Sequence, residues 1–301
     1  MKRFLYLLPI LTLLLTGCGS KRVSICLRQD NPQLALAMEE ALTRQGFRVT
    51  VWDADLDQSK QTQQLKKLAQ RSHAVLVEPV ITEEGNTLLD LAREQGTPVI
   101  FLNYPPDSGV LDSWEKACYL GFNLAETGAA QVGLLPKEAD RNGDGSLACL
   151  VISGPEDNLD AIAWNEQISK MEYVQVLALE HGDGSEVTGR AICRRQLARL
   201  EENPEVILCY SDMMALGALE TLRDGSHDAG EEVCLVGFGG RKEALEALGG
   251  GLTGTVMADY PTFAREAARL TGLLMQAEPV EKKTLVDLLP VTQGNVGRFL
   301  Q

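Results

Sequence analysis

Val23-Ser24-Ile25-Cys26-Leu27 is a short, mostly apolar run. After Arg28-Gln29-Asp30-Asn31 it gives way to Pro32-Gln33-Leu34-Ala35-Leu36-Ala37-Met38-Glu39-Glu40-Ala41-Leu42-Thr43-Arg44, where apolar residues recur at helical spacing. A continuous apolar run suits a strand covered on both faces, and its parallel neighbour must be reached through a crossover helix. The alternation repeats along the chain. Strands are expected at residues 48–52, 74–77, 99–102, 148–152, 173–178, 206–210 and 234–238. Helices are expected at 32–44, 58–70, 84–95, 123–135, 160–170, 187–201, 212–222 and 241–248. Right-handed crossovers turn such a series into doubly wound α/β units.

There are two series, residues 22–120 and 145–255, separated by the polar stretch 137–145. A helix at 261–276, a strand at 284–289 and a short tail follow. The expected fold is α/β, with two doubly wound parallel-sheet lobes joined by several hinge strands. The first lobe takes 23–120 and about 260–289, the second 121–259 and about 290–301. A ligand cleft is expected between the lobes, at the carboxyl ends of the strands.

The N-terminus has its own signal. Lys2 and Arg3 precede an apolar run from Phe4 to Leu15, which ends in Leu15-Thr16-Gly17-Cys18. That run is too short to span a bilayer and has the size of a signal-peptide core. Small residues before a cysteine resemble the lipobox of bacterial lipoproteins, which implies cleavage after residue 17, acylation of Cys18 and a tether of residues 18–22. Two acyl chains anchor firmly where one does not. An extracytoplasmic, lipid-anchored chain is expected. The net charge of −14 disfavours nucleic acid as a partner. Of seven cysteines, six follow Cys18. Cys26, Cys149, Cys209 and Cys234 sit in apolar runs, none has Cys-x-x-Cys spacing, and the six read as core thiols.

Asp140-Arg141-Asn142-Gly143-Asp144-Gly145-Ser146-Leu147-Ala148 places oxygen side chains at positions 1, 3 and 5 and glycine at 6, the start of a loop around a hard cation. Position 12, where an EF-hand has its bidentate glutamate, is Val151. Two readings stay open: a cation site completed from elsewhere, or a polar turn. His73, His181 and His227, the three histidines, are far apart and in no catalytic motif. An enzyme is not expected.

Several stretches resemble, in order and spacing, the sugar-binding members of the type I periplasmic binding protein family. They are Asp57-Gln58-Ser59-Lys60-Gln61, Thr97-Pro98-Val99-Ile100-Phe101-Leu102-Asn103, Leu111-Asp112-Ser113-Trp114-Glu115-Lys116-Ala117, the Asp140 loop, Glu205-Val206-Ile207-Leu208, Asp212-Met213-Met214-Ala215-Leu216-Gly217-Ala218 and Gly254-Thr255-Val256. The resemblance runs from Val23 to Phe299. It implies two α/β lobes joined by a three-segment hinge, capture of a carbohydrate and its delivery to the membrane permease of an ATP-driven importer. It also implies calcium held by Asp140, Asn142, Asp144, the carbonyl of Ser146 and Glu205, more weakly than in the family because Ala148 replaces a glutamine ligand. At the sugar site, Asp30, Asn103 and Asp160 match. Asn158, Trp164, Ser211, Gly239 and Ala258 replace a histidine, an arginine, an asparagine, an aspartate and an asparagine, and Pro32 and Gly184 fall at the stacking positions. Trp164 is either a new platform for the ligand or part of the core. So many lost partners argue against tight glucose or galactose binding.

The leading reading is a lipid-anchored solute-binding protein, with a ligand-sensing lipoprotein as the alternative. A regulator of the same fold would need a DNA-binding segment where the lipobox stands. Cys18→Ser is expected to abolish labelling by palmitate and to release the protein from the membrane fraction; persistent labelling would place the lipid elsewhere.

Overall fold

The computed structural model describes residues 20–224 and 233–300. The signal segment 1–17, Cys18 and His227 lie outside the described residues. The described residues form two compact units, those up to Tyr119 with Ala264–Lys283 and those of Leu120–Phe263 with Thr284 onward, and the chain passes between them three times.

The first unit starts with β1 (Arg22–Leu27), α1 (Pro32–Arg44), β2 (Arg48–Asp53), α2 (Gln58–Ala69), β3 (Ala74–Val77), α3 (Gly85–Arg93), β4 (Val99–Leu102), α4 (Ser108–Asp112) and β5 (Ala117–Phe122). The second begins with α5 (Thr127–Val132), β6 (Leu147–Ser153), α6 (Leu159–Ser169), β7 (Val174–His181), α7 (Glu186–Leu197) and β8 (Val206–Cys209). It continues through α8 (Asp212–Arg223), β9 (Cys234–Phe238), α9 (Lys242–Ala247) and β10 (Gly254–Met257). The late elements are α10 (Tyr260–Met275), β11 (Lys283–Val286) and β12 (Leu289–Thr292).

The sheet orders are β11-β5-β4-β3-β1-β2 and β12-β10-β9-β8-β6-β7. In the first, β1 runs parallel to both neighbours, with Ile25 opposite Val51 and Leu76. Every residue of β3 and β4 is buried, as in a sheet with helices on both faces. Leu34, Met38 and Leu42 of α1 and Leu65 and Leu68 of α2 supply that cover. In the second sheet β6, β7, β8, β9 and β10 are parallel, whereas β12 is antiparallel to β10, with Pro290 opposite Val256. An edge strand tolerates a proline because its outer side needs no ladder donor.

Three expectations are corrected. The single strand at 284–289 is two strands, β11 and β12, which join different sheets, so the last crossing falls after Lys283 rather than near 289. The helix at 123–135 is a 3-10 turn (Leu124–Glu126) followed by the six-residue α5. The strands β5 and β10 were not expected at all; both contain glycine, which weakens a strand signal.

The helices α7 and α8 pack at backbone distance. A Cβ at Gly217 would collide with the Glu186 carbonyl, and one at Gly189 with the Met214 backbone. Overpacking a filled core costs about 1–3 kcal/mol. Gly217→Ala is therefore expected to lower the urea midpoint at unchanged m value; an unchanged midpoint would show that the pair can part at no cost.

Candidate functional site

In each sheet one strand has neighbours that wind away in opposite directions. β1 lies between β2 and β3, and β6 lies between β7 and β8. The connections leaving such a pair diverge, so its carboxyl ends stay open and form the natural place for a ligand.

In the first unit the switch lies between β1 and β3. Glu78 directly follows β3 and is 6% exposed. Its Oε2 accepts from the Arg28 amide (3.2 Å), and its Oε1 accepts from Asn103 Nδ2 (2.8 Å). The turn that carries Glu78 is fixed by Gln61, whose Nε2 donates to the Glu78 carbonyl (2.8 Å) and whose Oε1 accepts from the Val80 amide (3.0 Å). Asn103, just after β4, takes φ = 58°. The Tyr119 hydroxyl donates to its carbonyl (2.9 Å), and its Oδ1 is buried without a partner. The Arg28 guanidinium lies 4.2 Å from the centroid of the Tyr104 ring, and its Nε is buried without a partner. Asp30 is exposed in the loop before α1, whose N-terminus Asn31 caps by accepting from the Leu34 amide (3.1 Å). Asp30 and Asn103 thus both lie on the loops that follow first-unit strands, β1 and β4. Arg28, Glu78 and Tyr104 are added by the structure; they carry no local motif, and only the strand order brings Arg28 and Glu78 side by side.

In the second unit the corresponding ends belong to β6 and β8. Asn158 caps α6 by accepting from the Ala161 amide (3.0 Å), and the Tyr210 hydroxyl donates to the same oxygen (3.4 Å). Asp160 is exposed in the first turn of α6. Ser211 caps α8, accepting from the Met214 amide (3.2 Å) while its hydroxyl donates to the Gly184 carbonyl (3.1 Å). His181 Nδ1 lies 3.0 Å from the Gly154 carbonyl. Trp164 as a ligand platform is corrected: it is 2% exposed, packs edge-on against Tyr210 and donates from its indole N–H to Gln131 (2.6 Å). It belongs to the core. Tyr210, which the sequence reading passed over, is the partly exposed aromatic at this end.

Beneath these residues Asp212 is buried. The Thr255 hydroxyl donates to one oxygen (2.6 Å) and the Arg241 amide to the other (2.7 Å). Burial raises its pKa, and these donors oppose the rise. Gly239 sits over this carboxylate at φ = 135°.

The Asp140 loop winds its oxygens onto its own amides. Asp140 accepts from Gly143 (2.7 Å) and Gly145 (3.0 Å), and Asn142 accepts from the Asp144 amide (2.9 Å). Asp144 Oδ1 accepts from the Ser146 amide (2.8 Å) and hydroxyl (2.7 Å), which hold its pKa below the ordinary value. Glu205, buried just before β8, reaches the loop, accepting from the amides of Arg141 (2.7 Å) and Ala148 (3.0 Å). The donor chemistry suits a hard cation, and Ala148 supplies no oxygen. Among the described residues, however, no three His, Cys, Asp or Glu side chains are gathered to hold a metal. The six described cysteines are free thiols. Burial pushes Cys26, Cys118, Cys149 and Cys193 up to about 12, so they are inert.

A sequence profile described as "Periplasmic binding protein domain" matches residues 31–279. The chain is 26% identical over 286 residues to the D-galactose/methyl-galactoside binding periplasmic protein MglB of Haemophilus influenzae, covering 87% of this chain and 85% of that protein. It is 24% identical over 276 residues to the ribose import binding protein RbsB of Bacillus subtilis, covering 88% and 84%. A solved ABC transporter solute binding protein from Bacillus halodurans, with bound myo-inositol, superposes with a TM-score of 0.67 at 20% identity, covering 95% of this chain and 99% of that one. That last likeness shows the fold.

Proposed function

The chain belongs to the periplasmic binding protein domain family, and from that premise we propose that it captures a sugar or sugar-like polyol and hands it to the permease of an ATP-driven importer. It is a binding protein and not an enzyme, like the transport proteins to which it is similar. No helix among the described residues is long and apolar enough to cross a membrane. Attachment at the extracytoplasmic face falls to lipid on Cys18.

The observation that carries the reading is polar side chains at the carboxyl-end switch of each sheet, on the family's fold. In the first unit Asp30 and Asn103 accept or donate toward ligand hydroxyls; in the second, Asp160, Asn158 and Ser211 do so, with Tyr210 in the place proposed above for Trp164. The names of the relatives, which include galactose and ribose binders, support a carbohydrate as the ligand class. In calorimetry on the mature protein, Asp30→Ala and Asp160→Ala are each expected to weaken binding by about ten- to a hundredfold, the value of a hydrogen bond to a charged group. Glucose and galactose are expected to bind more weakly than about 1 μM. Affinities untouched by either substitution would place the site elsewhere.

We also infer that calcium binds the loop of Asp140, Asn142, Asp144 and Ser146 together with Glu205. The reading is supported by the oxygen-only donor set and by the approach of a buried carboxylate to the loop. Binding to the folded state alone stabilises by RT ln(1 + [L]/Kd), about 2.7 kcal/mol at a hundredfold excess over Kd. Millimolar calcium is expected to raise the Tm and Glu205→Gln to erase the rise, while Ala148→Gln tightens binding. A Tm indifferent to calcium and chelator would leave the loop as a polar turn.

A further inference from the structure

We propose that Arg28 makes the first unit a receptor for the carboxylate of an acidic sugar, a polyhydroxylated monoanion of the uronate kind. The proposal rests on the sugar-binding reading above and names the ligand class within it.

Arg28 is the first residue after β1, beside the switch between β1 and β3. Its guanidinium carbon lies 4.2 Å from the centroid of the Tyr104 ring, a cation–π contact that restrains the planar fork. No Asp or Glu among the described residues forms an ion pair with it. Glu78 is bonded instead by the Arg28 backbone amide and by Asn103 Nδ2. By contrast, Arg190, Arg194 and Arg195 on α7 are each paired with an acidic side chain. An arginine fixed by an aromatic at a ligand-binding strand end, and left without an anion, presents a fork that matches a carboxylate. In a chain of net charge −14 such a local cation favours the approach of an anionic solute.

The neighbouring atoms describe the rest of the ligand. Because Glu78 can only accept, the Asn103 amide must turn its NH2 toward Glu78, which fixes Oδ1 as an acceptor. That oxygen has no partner, and Asp30 is a second acceptor nearby in sequence. Both call for hydroxyl donors. A neutral hexose would satisfy them and leave the guanidinium unmatched. A phosphate, carrying about −1.5 to −2 charges, would set that charge among Glu78 and Asp30. One carboxylate on a polyol matches the set.

The test is calorimetry of the mature protein with D-galacturonate, D-glucuronate, their neutral parent hexoses and a hexose 6-phosphate. A uronate is expected to bind at least about tenfold more tightly than its parent and than the phosphate. Arg28→Gln should abolish that preference while keeping the Tm of the unliganded protein, and Arg28→Lys should restore part of it. A neutral hexose or a sugar phosphate bound as tightly as the acid, or a preference that survives Arg28→Gln, overturns the proposal and leaves the sugar-binding reading standing. Failure of all these compounds and of a wider polyol panel to bind overturns both.

Discussion

Two fully buried glutamines hold the strand ends on which everything else rests. A parallel sheet covered on both faces gives its polar residues nowhere to go but the ends of the strands, and a strand end without a ladder partner must be fixed by something else. In the first unit Gln61 of α2 bonds the chain on both sides of Pro79, through the Glu78 carbonyl and the Val80 amide. In the second, Gln131 of α5 donates to the carbonyls of Cys209 (2.9 Å) and Gly237 (3.0 Å), tying β8 to β9, and accepts from Trp164. Each amide is satisfied by backbone or a buried side chain, the condition under which a polar group in a core stabilises rather than costs. The carboxylate of Glu78 and the ring of Tyr210 take their places from these two anchors.

The strands and helices that cover the sheets were legible because burial on both faces leaves a continuous apolar run, and a covering helix keeps its period. Residues 74–77 and 99–102 are examples, matched to the residue by β3 and β4. Short elements were not. Gly254-Thr255-Val256-Met257 carries too few apolar residues to announce β10, and nothing local to residues 284–292 says that the chain changes sheets there. Sheet membership is a long-range property, set by pairings such as Val256 with Pro290.

The candidate site was half legible for a related reason. Asp30, Asn103, Asn158 and Ser211 could be placed only by resemblance, and that Asn158 and Ser211 cap α6 and α8 emerged from the structure. Trp164 could not be assigned from sequence, because a tryptophan on a helix becomes core or platform according to a partner for its N–H, and that partner, Gln131, lies 33 residues away. Arg28 and Glu78 carry no motif. Their meaning comes only from strand order, which brings the residues after β1 and β3 side by side although 50 positions separate them.

Gly239 in the second unit illustrates why an exchange expected from the resemblance is hard to reverse. Gly239 stands where the resemblance expects an aspartate, and its φ of 135° is a conformation that a side chain occupies only under strain. An aspartate there would also bring a second carboxylate toward Asp212, which is already buried and already held by Thr255 and the Arg241 amide. Like charges in a low dielectric raise the pKa of one of the pair, so only one of the two acids would stay an ionised acceptor for a sugar hydroxyl. With Ala258 also lacking a polar group, this end of the sheet offers a ligand fewer acceptors than the family pattern does. On the proposed reading, recognition in the second unit leans on Asp160, Asn158 and the Tyr210 hydroxyl, groups at the β6–β8 switch rather than beyond it.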